Sequence, residues 1–227
     1  MRAEVMTLGT PNPRQREFLA CEKKYVAFGG ARGGGKSWAV RCKAKLLALR
    51  YAGIRILLVR RSLAELEANH LAFLRQELAD VAEYRAGERQ FRFCNGSVLQ
   101  FGYCGCDRDL DRYQGAEYDV IFLDEATQLK EQWMRQIAAC VRGVNDFPKR
   151  IYYTCNPGGP GHGYIKRLFI DRRFEDGEQP EDYAFIPARV TDNTALLARQ
   201  PDYLKTLEAL PYKLRRAWLE GRWDVFA

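Results

Sequence analysis

The octapeptide Gly30-Ala31-Arg32-Gly33-Gly34-Gly35-Lys36-Ser37 constrains this chain more than any other stretch. It satisfies GxxxxGK[ST] in full and lies between Tyr25–Gly30, which reads as a strand, and Ser37–Tyr51, which reads as a helix. A chance match in a chain of 227 residues is of the order of one in a hundred, and the flanking elements lower that further. Main-chain amides can close on a phosphate only where side chains do not intervene, hence Gly30, Gly33, Gly34 and Gly35. The helix that follows adds the positive end of its dipole. Lys36 would then reach the β and γ phosphates of a bound nucleotide, and the Ser37 hydroxyl would ligate Mg²⁺. The competing reading, a flexible loop with an incidental lysine, does not account for the strand and helix on either side.

Two acids follow the apolar run Val120–Leu123, at the carboxyl end of a strand that reads as buried on both faces, where ligands collect in open α/β sheets. In that place Asp124 would hold Mg²⁺ and Glu125 would orient or deprotonate the attacking water. The glutamate favours hydrolysis over binding alone. A further strand, RIYYTCNP, stops at Pro157 and puts Thr154 and Asn156 at the same sheet edge, able to contact a γ phosphate or its water.

Short apolar runs alternate with amphipathic stretches from Lys23 onward, the pattern of helices packed on a mostly parallel sheet, so the fold class is α/β. Ile54–Val59 reads as a second strand. Ser62 with Glu65 reads as a capping box opening a helix that ends before Gly87. FRFCNGSVLQFGY reads as a hairpin turning on Asn95-Gly96 as a two-residue loop, and Gln128–Val141 reads as a helix. After Gly177 come a charged loop, one strand-like run at Tyr183–Ile186, and two short helices begun by Pro201 and Pro211. The expected division is a nucleotide-hydrolysing core over 1–190 and a small lid or linker subdomain over 191–227.

With 47% hydrophobic residues the chain can bury an ordinary core, and no apolar run approaches the roughly 20 residues of a membrane span. Its first residues lack the apolar stretch of a secretory signal. Seven scattered cysteines without a CxxC pair fit reduced thiols; the CGC of Cys104–Cys106 lacks zinc-site spacing. A net charge of +7 is compatible with a polyanionic partner such as nucleic acid, and equally with a solvated surface. The densest basic group is Lys166, Arg167, Arg172 and Arg173, for which a solvated helix face competes with contact to DNA phosphates.

Taken together, PNPRQREFL (Pro11–Leu19), GGARGGGKS, ILLVRRS, RYQGAEYDVIFLDEAT, YTCNPGGPGHGYIKRLFI and the closing WLEGRWDVF resemble the N-terminal ATPase domain of the bacteriophage large terminase subunit. The resemblance spans nearly the whole chain. It implies a P-loop NTPase of the RecA-like (ASCE) type, with ATP and Mg²⁺ as cofactors. It further implies translocation of double-stranded DNA into a preformed capsid in the host cytoplasm, by a ring of subunits, monomeric in isolation, that meets a portal protein and a small terminase subunit. Residue by residue, it implies that Gln15 reads the adenine and that residues 1–22 form an adenine-binding segment. Arg32 would place charge on the transferring phosphoryl group, Arg112 would be offered to a neighbouring subunit's nucleotide, and Thr154–Asn156 would couple nucleotide state to movement. Family members continue into an RNase H-like nuclease, and this chain stops where that junction would lie, so no DNA cleavage is expected of it.

Two rival classes remain. A helicase or recombinase shares the same core motifs, although superfamily helicases require a second RecA-like domain. A non-hydrolysing ATP-binding assembly module needs no acid beside the water, and Glu125 speaks against it.

Overall fold

Period-two alternation within three apolar runs decides the layers. In Tyr25–Gly30 the side chains of Val26 and Phe28 enter one core and Ala27 the other; Ile56 and Leu58 oppose Leu57 and Val59; Val120 and Phe122 oppose Ile121 and Leu123. A strand apolar on both faces must be covered on both, which demands helices above and below. The computed structural model describes residues 9–226 and has this arrangement. The eight strands among these residues are β1 (Tyr25–Gly30), β2 (Arg55–Arg60), β3 (Ala82–Arg85), β4 (Gln90–Phe93), β5 (Val98–Tyr103), β6 (Val120–Leu123), β7 (Arg150–Cys155) and β8 (Tyr183–Ala188). They form one sheet in the order β3-β4-β5-β2-β6-β7-β1-β8. All pairs from β5 to β8 are parallel, and β3 and β4 add an antiparallel edge. This is the RecA-like ASCE arrangement, in which β7 lies between the strand that carries the phosphate loop and the strand that carries the acids.

One face is covered by α1 (Pro13–Ala20), α2 (Lys36–Arg50) and a long interrupted helix made of α3 (Leu63–Leu66), a π turn (Glu67–Leu71) and α4 (Ala72–Glu77). The other carries α5 (Glu131–Ala138) and α6 (His162–Ile165), the latter continuing as a second π turn (Lys166–Ile170). Phe18 pins α1 to the sheet by stacking on Phe28, with ring centroids 4.9 Å apart, and Phe122 stacks on Tyr152 at 4.9 Å. Each such fully buried ring contributes about 1.5–3 kcal/mol of transfer free energy, so this cluster fixes where α1 and the loop beside it sit.

The local signals that placed the strands hold to within a residue or two; several details differ. The Asn95-Gly96 turn is a three-residue loop. Gly96 N donates to Phe93 O and Phe93 N to Ser97 O, each at 2.9 Å, and of the turn residues only Gly96 has a positive φ, 84°. That is the type I turn with a G1 bulge, which needs only one left-handed residue. The helix begun at Ser62 ends at Glu77, and the residues before Gly87 form β3 instead. The expected helix at Gln128–Val141 shortens to α5, preceded by a 3-10 turn at Ala126–Gln128. After β8 there are three short helices, α7 (Thr194–Arg199), α8 (Tyr203–Glu208) and α9 (Tyr212–Trp218), where two were expected; Asn193 caps the unforeseen one by accepting from Leu196 N at 3.2 Å. The first eight residues of the expected adenine-binding segment, and Ala227, lie outside the described residues.

Candidate functional site

Parallel strands in register deliver their carboxyl ends to one edge of the sheet, and the strand order sets what meets there. From β2 to β1 that edge reads Arg60, Asp124-Glu125, Thr154 to Asn156, and Gly30 with the loop behind it. These residues surround a cleft of about 700 Å³, within the size range of small-molecule sites. It is lined by Gly33 to Ser37, Arg32, Arg60, Glu125 and Asn156 among others.

The loop itself is held in shape by its neighbours. Gly33 and Gly35 have φ of 77° and 74°, a region costly for residues with a Cβ. A Cβ on Gly33 would come within 2.7 Å of the Tyr203 ring, and one on Gly35 would collide with the Gln15 amide. Lys36, buried at the start of α2, donates to Ala31 O at 2.7 Å and to Asn156 Oδ1 at 2.8 Å. Burial pushes its ammonium below the ordinary lysine value, against the pull of the Glu125 carboxylate. An ammonium so placed gains from any anion that enters the cleft.

Asn156 has its other end on the acid. Its Nδ2 donates to Glu125 Oε2 at 2.8 Å, so one amide joins the loop lysine to the glutamate. Because β7 lies between β1 and β6, a side chain from its end is placed to bridge the two. Glu125 lines the cleft with φ of 54°, a left-handed conformation that costs a non-glycine residue of order 1 kcal/mol; its amide donates to Thr154 Oγ1 at 2.9 Å. Thr154 Oγ1 donates in turn to Asp124 Oδ1 at 2.5 Å. Asp124 is buried beneath the cleft, with His70 Nε2 at 2.7 Å and Arg60 Nε at 3.0 Å from Oδ2. Burial works to raise its pKa, but the His70 contact, the Arg60 charge and the Thr154 bond together hold the carboxyl well below the usual carboxylate range, so it stays ionised. The donors fit a hard divalent cation: an ionised carboxylate and the Ser37 hydroxyl, all oxygen. No cluster of three or more His, Cys, Asp or Glu that could hold a metal by itself occurs among the described residues.

The remaining expected residues have definite places. Arg32 lines the cleft and lies over the Trp218 ring, 3.3 Å from the ring centroid, while its amide donates to Trp218 O at 2.8 Å. Asn193, which was not among the expected residues, donates from Nδ2 to Gly33 O at 2.7 Å. Gln15 is engaged at both ends of its amide: Oε1 accepts from Asn12 N at 2.9 Å in a capping box, and Nε2 donates to Gly35 O at 3.0 Å. Arg112 is outside the cleft, paired with Asp109 at 2.9 Å and 3.9 Å above the Tyr103 ring. The densest basic group is largely neutralised within its own segment. Lys166 pairs with Asp171 at 2.6 Å, Arg167 with Glu178 at 2.8 Å and Arg173 with Asp171 at 3.1 Å, so these charges have partners in their own segment, which is nearer to the reading as a solvated face than to a DNA-phosphate surface. Sequence reasoning missed Arg60, Arg41 and His70. Arg60 sits inside ILLVRRS, but its closeness to Asp124 depends on β2 lying beside β6, which strand-by-strand reading does not supply.

Comparison with known proteins follows the same lines. Residues 27–224 match the family model of the terminase large subunit, T4likevirus-type, N-terminal. No curated protein sequence matches. Among solved structures, the large terminase of a thermophilic bacteriophage in complex with ADP superposes with a TM-score of 0.76 at 16% identity, over 96% of this chain and 56% of that one. The large terminase ATPase domain of Thermus phage P74-26 does so with 0.67 at 14% identity, over 94% of each chain. The N-terminal domain of the DNA packaging ATPase from bacteriophage phi29 gives 0.54 at 18% identity, over 78% of this chain and 96% of that one. The chain thus spans about half the length of the thermophilic-phage terminase. At such identities the superpositions speak for the fold; the family match takes in the glycine loop, the acid pair and the bridging asparagine, and by it this chain belongs to the N-terminal part of the terminase large subunit family.

Proposed function

We propose that this chain hydrolyses ATP in the cleft between β1 and β6, with Mg²⁺, and that the hydrolysis drives double-stranded DNA into a preformed capsid. The observation that carries the chemical half is Asn156, which binds Lys36 and Glu125 at the same time. A site that only stored nucleotide would need the lysine; tying it to a strained, cleft-facing glutamate is of use when a water must be aligned with the phosphate that the lysine holds. Lys36 and the loop amides grip the β and γ phosphates. Ser37 and Asp124 would hold the metal, which would neutralise phosphate charge when bound. Glu125 accepts the proton of the attacking water, and Arg32 reaches the transferring phosphoryl group. Gln15, fixed on the loop carbonyl of Gly35, retains one amide hydrogen for an adenine.

The transport half rests on the family. Double-stranded DNA, a portal protein, a small terminase subunit and a homo-oligomeric ring in the host cytoplasm belong to this reading, with Arg112 acting on the neighbouring subunit's nucleotide. The thermophilic-phage relative was solved with ADP and with ATP-gamma-S, which supports a nucleotide in the equivalent cleft. Phosphate release by the parent chain and by Glu125→Ala tests the chemistry. The expected result is a loss of about 10²-fold or more, in the range for removing a general base; equal rates would leave an ATP-binding assembly module as the better account.

A further inference from the structure

His70 is fully buried, and its Nε2 lies 2.7 Å from Asp124 Oδ2. A carboxylate oxygen only accepts, so Nε2 carries the hydrogen and donates. Charge compensation does not require this ring, because Arg60 already stands 3.0 Å from the same oxygen. Its placement also carries costs. The Nδ1 atom is buried without a hydrogen-bond partner among the described residues, and the ring is delivered by the π turn Glu67–Leu71 that interrupts an otherwise α-helical run. Single π turns inside α-helices recur at functional sites because the extra residue re-aims the side chains that follow.

The turn is locked by residues of the cleft. Glu65 O accepts from Arg60 Nη1 at 3.2 Å and from Asn69 Nδ2 at 2.8 Å, and Asn69 O accepts from Arg41 Nη1 at 2.6 Å. Both arginines line the cleft. Asp124 is therefore held from three elements: Thr154 of β7 on Oδ1, and Arg60 of β2 with His70 of the interrupted helix on Oδ2. Arg60 supplies charge beside Oδ2 without a hydrogen bond from its Nε, so the hydrogen bonds that orient the carboxylate are those of His70 on Oδ2 and Thr154 on Oδ1.

We infer that His70 is a positioning residue for the metal-binding carboxylate, fixing the orientation in which Asp124 faces the cation and its waters. The inference rests on the nucleotide-site reading above. Hydrogen bonds behind a metal ligand commonly set metal affinity by about 10–100-fold, whereas a residue that serves the fold alone would leave the response to metal unchanged.

The test measures ATP-gamma-S affinity in EDTA and in excess Mg²⁺ for the parent, His70→Gln, His70→Asn and His70→Ala. Glutamine places an amide nitrogen near the position of Nε2; the shorter asparagine does not reach it. The expected result is an unchanged affinity in EDTA for all four chains, an Mg²⁺-dependent gain shared by the parent and His70→Gln, and a gain about tenfold smaller or less for His70→Asn and His70→Ala. Equal gains in all four chains would overturn the inference. So would loss of the EDTA affinity in His70→Asn and His70→Ala, which would assign His70 to the fold. A parent that gains nothing from Mg²⁺ would remove the site reading itself, and the inference with it.

Discussion

Asn156 is the side chain on which the site's connectivity turns, since its two amide ends satisfy a buried lysine and a glutamate in a strained conformation. Asn156→Ala should therefore lower phosphate release by about 10²-fold, the scale seen when a preorganised donor is removed from a catalytic site. Nucleotide affinity should change much less, because Lys36 keeps its bond to Ala31 O and stays beside the phosphates. Parallel measurement of turnover and nucleotide affinity checks this; an equal loss in both would mean the asparagine only shapes the pocket. At this scale much was legible beforehand. The lysine, serine, both acids and the asparagine lie in short segments whose chemistry is local. His70 was not legible, because a single histidine in a polar helical stretch carries no signal until the π turn and the place of β6 are known.

Among the elements, the helices after β8 are the least self-sufficient. They are short, and α9 meets the phosphate loop through Trp218, whose carbonyl takes the Arg32 amide and whose ring carries the guanidinium. Tyr203 of α8 covers Gly33. Trp218→Ala removes a cation–π contact and part of a packed indole, an expected loss of about 1–3 kcal/mol. For a chain of this size each kcal/mol lowers Tm by roughly 2–4 °C. Thermal melting should show that shift, and limited proteolysis should cut between α7 and α9 sooner than in the parent; an unchanged melt and cleavage pattern would mean that α9 is held by something other than this contact. The sequence marked helix starts at Pro201 and Pro211, and Pro211 does precede α9. It did not mark α7, whose cap is Asn193, a residue shared with the loop through Gly33 O. A cap with a second, tertiary duty has no distinct one-dimensional pattern. The hairpin shows the converse: its existence was plain from alternation, while its turn type depended on which residue took the left-handed conformation.

For the molecule as a whole, α/β class and parallel order followed from apolar alternation, yet the strand sequence across the sheet did not, because spatial neighbours such as β2 and β6 are far apart in the chain. The same arrangement leaves Arg112 on the outside, clasped by Asp109 and Tyr103 and away from the cleft of its own chain. If it serves a neighbour, turnover per subunit should rise with protein concentration, and Arg112→Ala should lower the high-concentration rate by about 10³-fold while leaving the dilute rate unchanged, as for arginines supplied in trans. Turnover independent of concentration, with Arg112→Ala unaffected, would confine this residue to its own surface. No helix among the described residues is long and apolar enough to cross a membrane.

Placing β7 between β1 and β6 turns the backbone hydrogen-bond spacing into a ruler. Two strand intervals of about 4.8 Å each separate the chain that carries the lysine from the chain that carries the acids. That span cannot stretch or shrink without breaking ladder bonds in the middle of the molecule, so any stroke must be made by parts hung on the edge, with the chemical gauge itself left rigid.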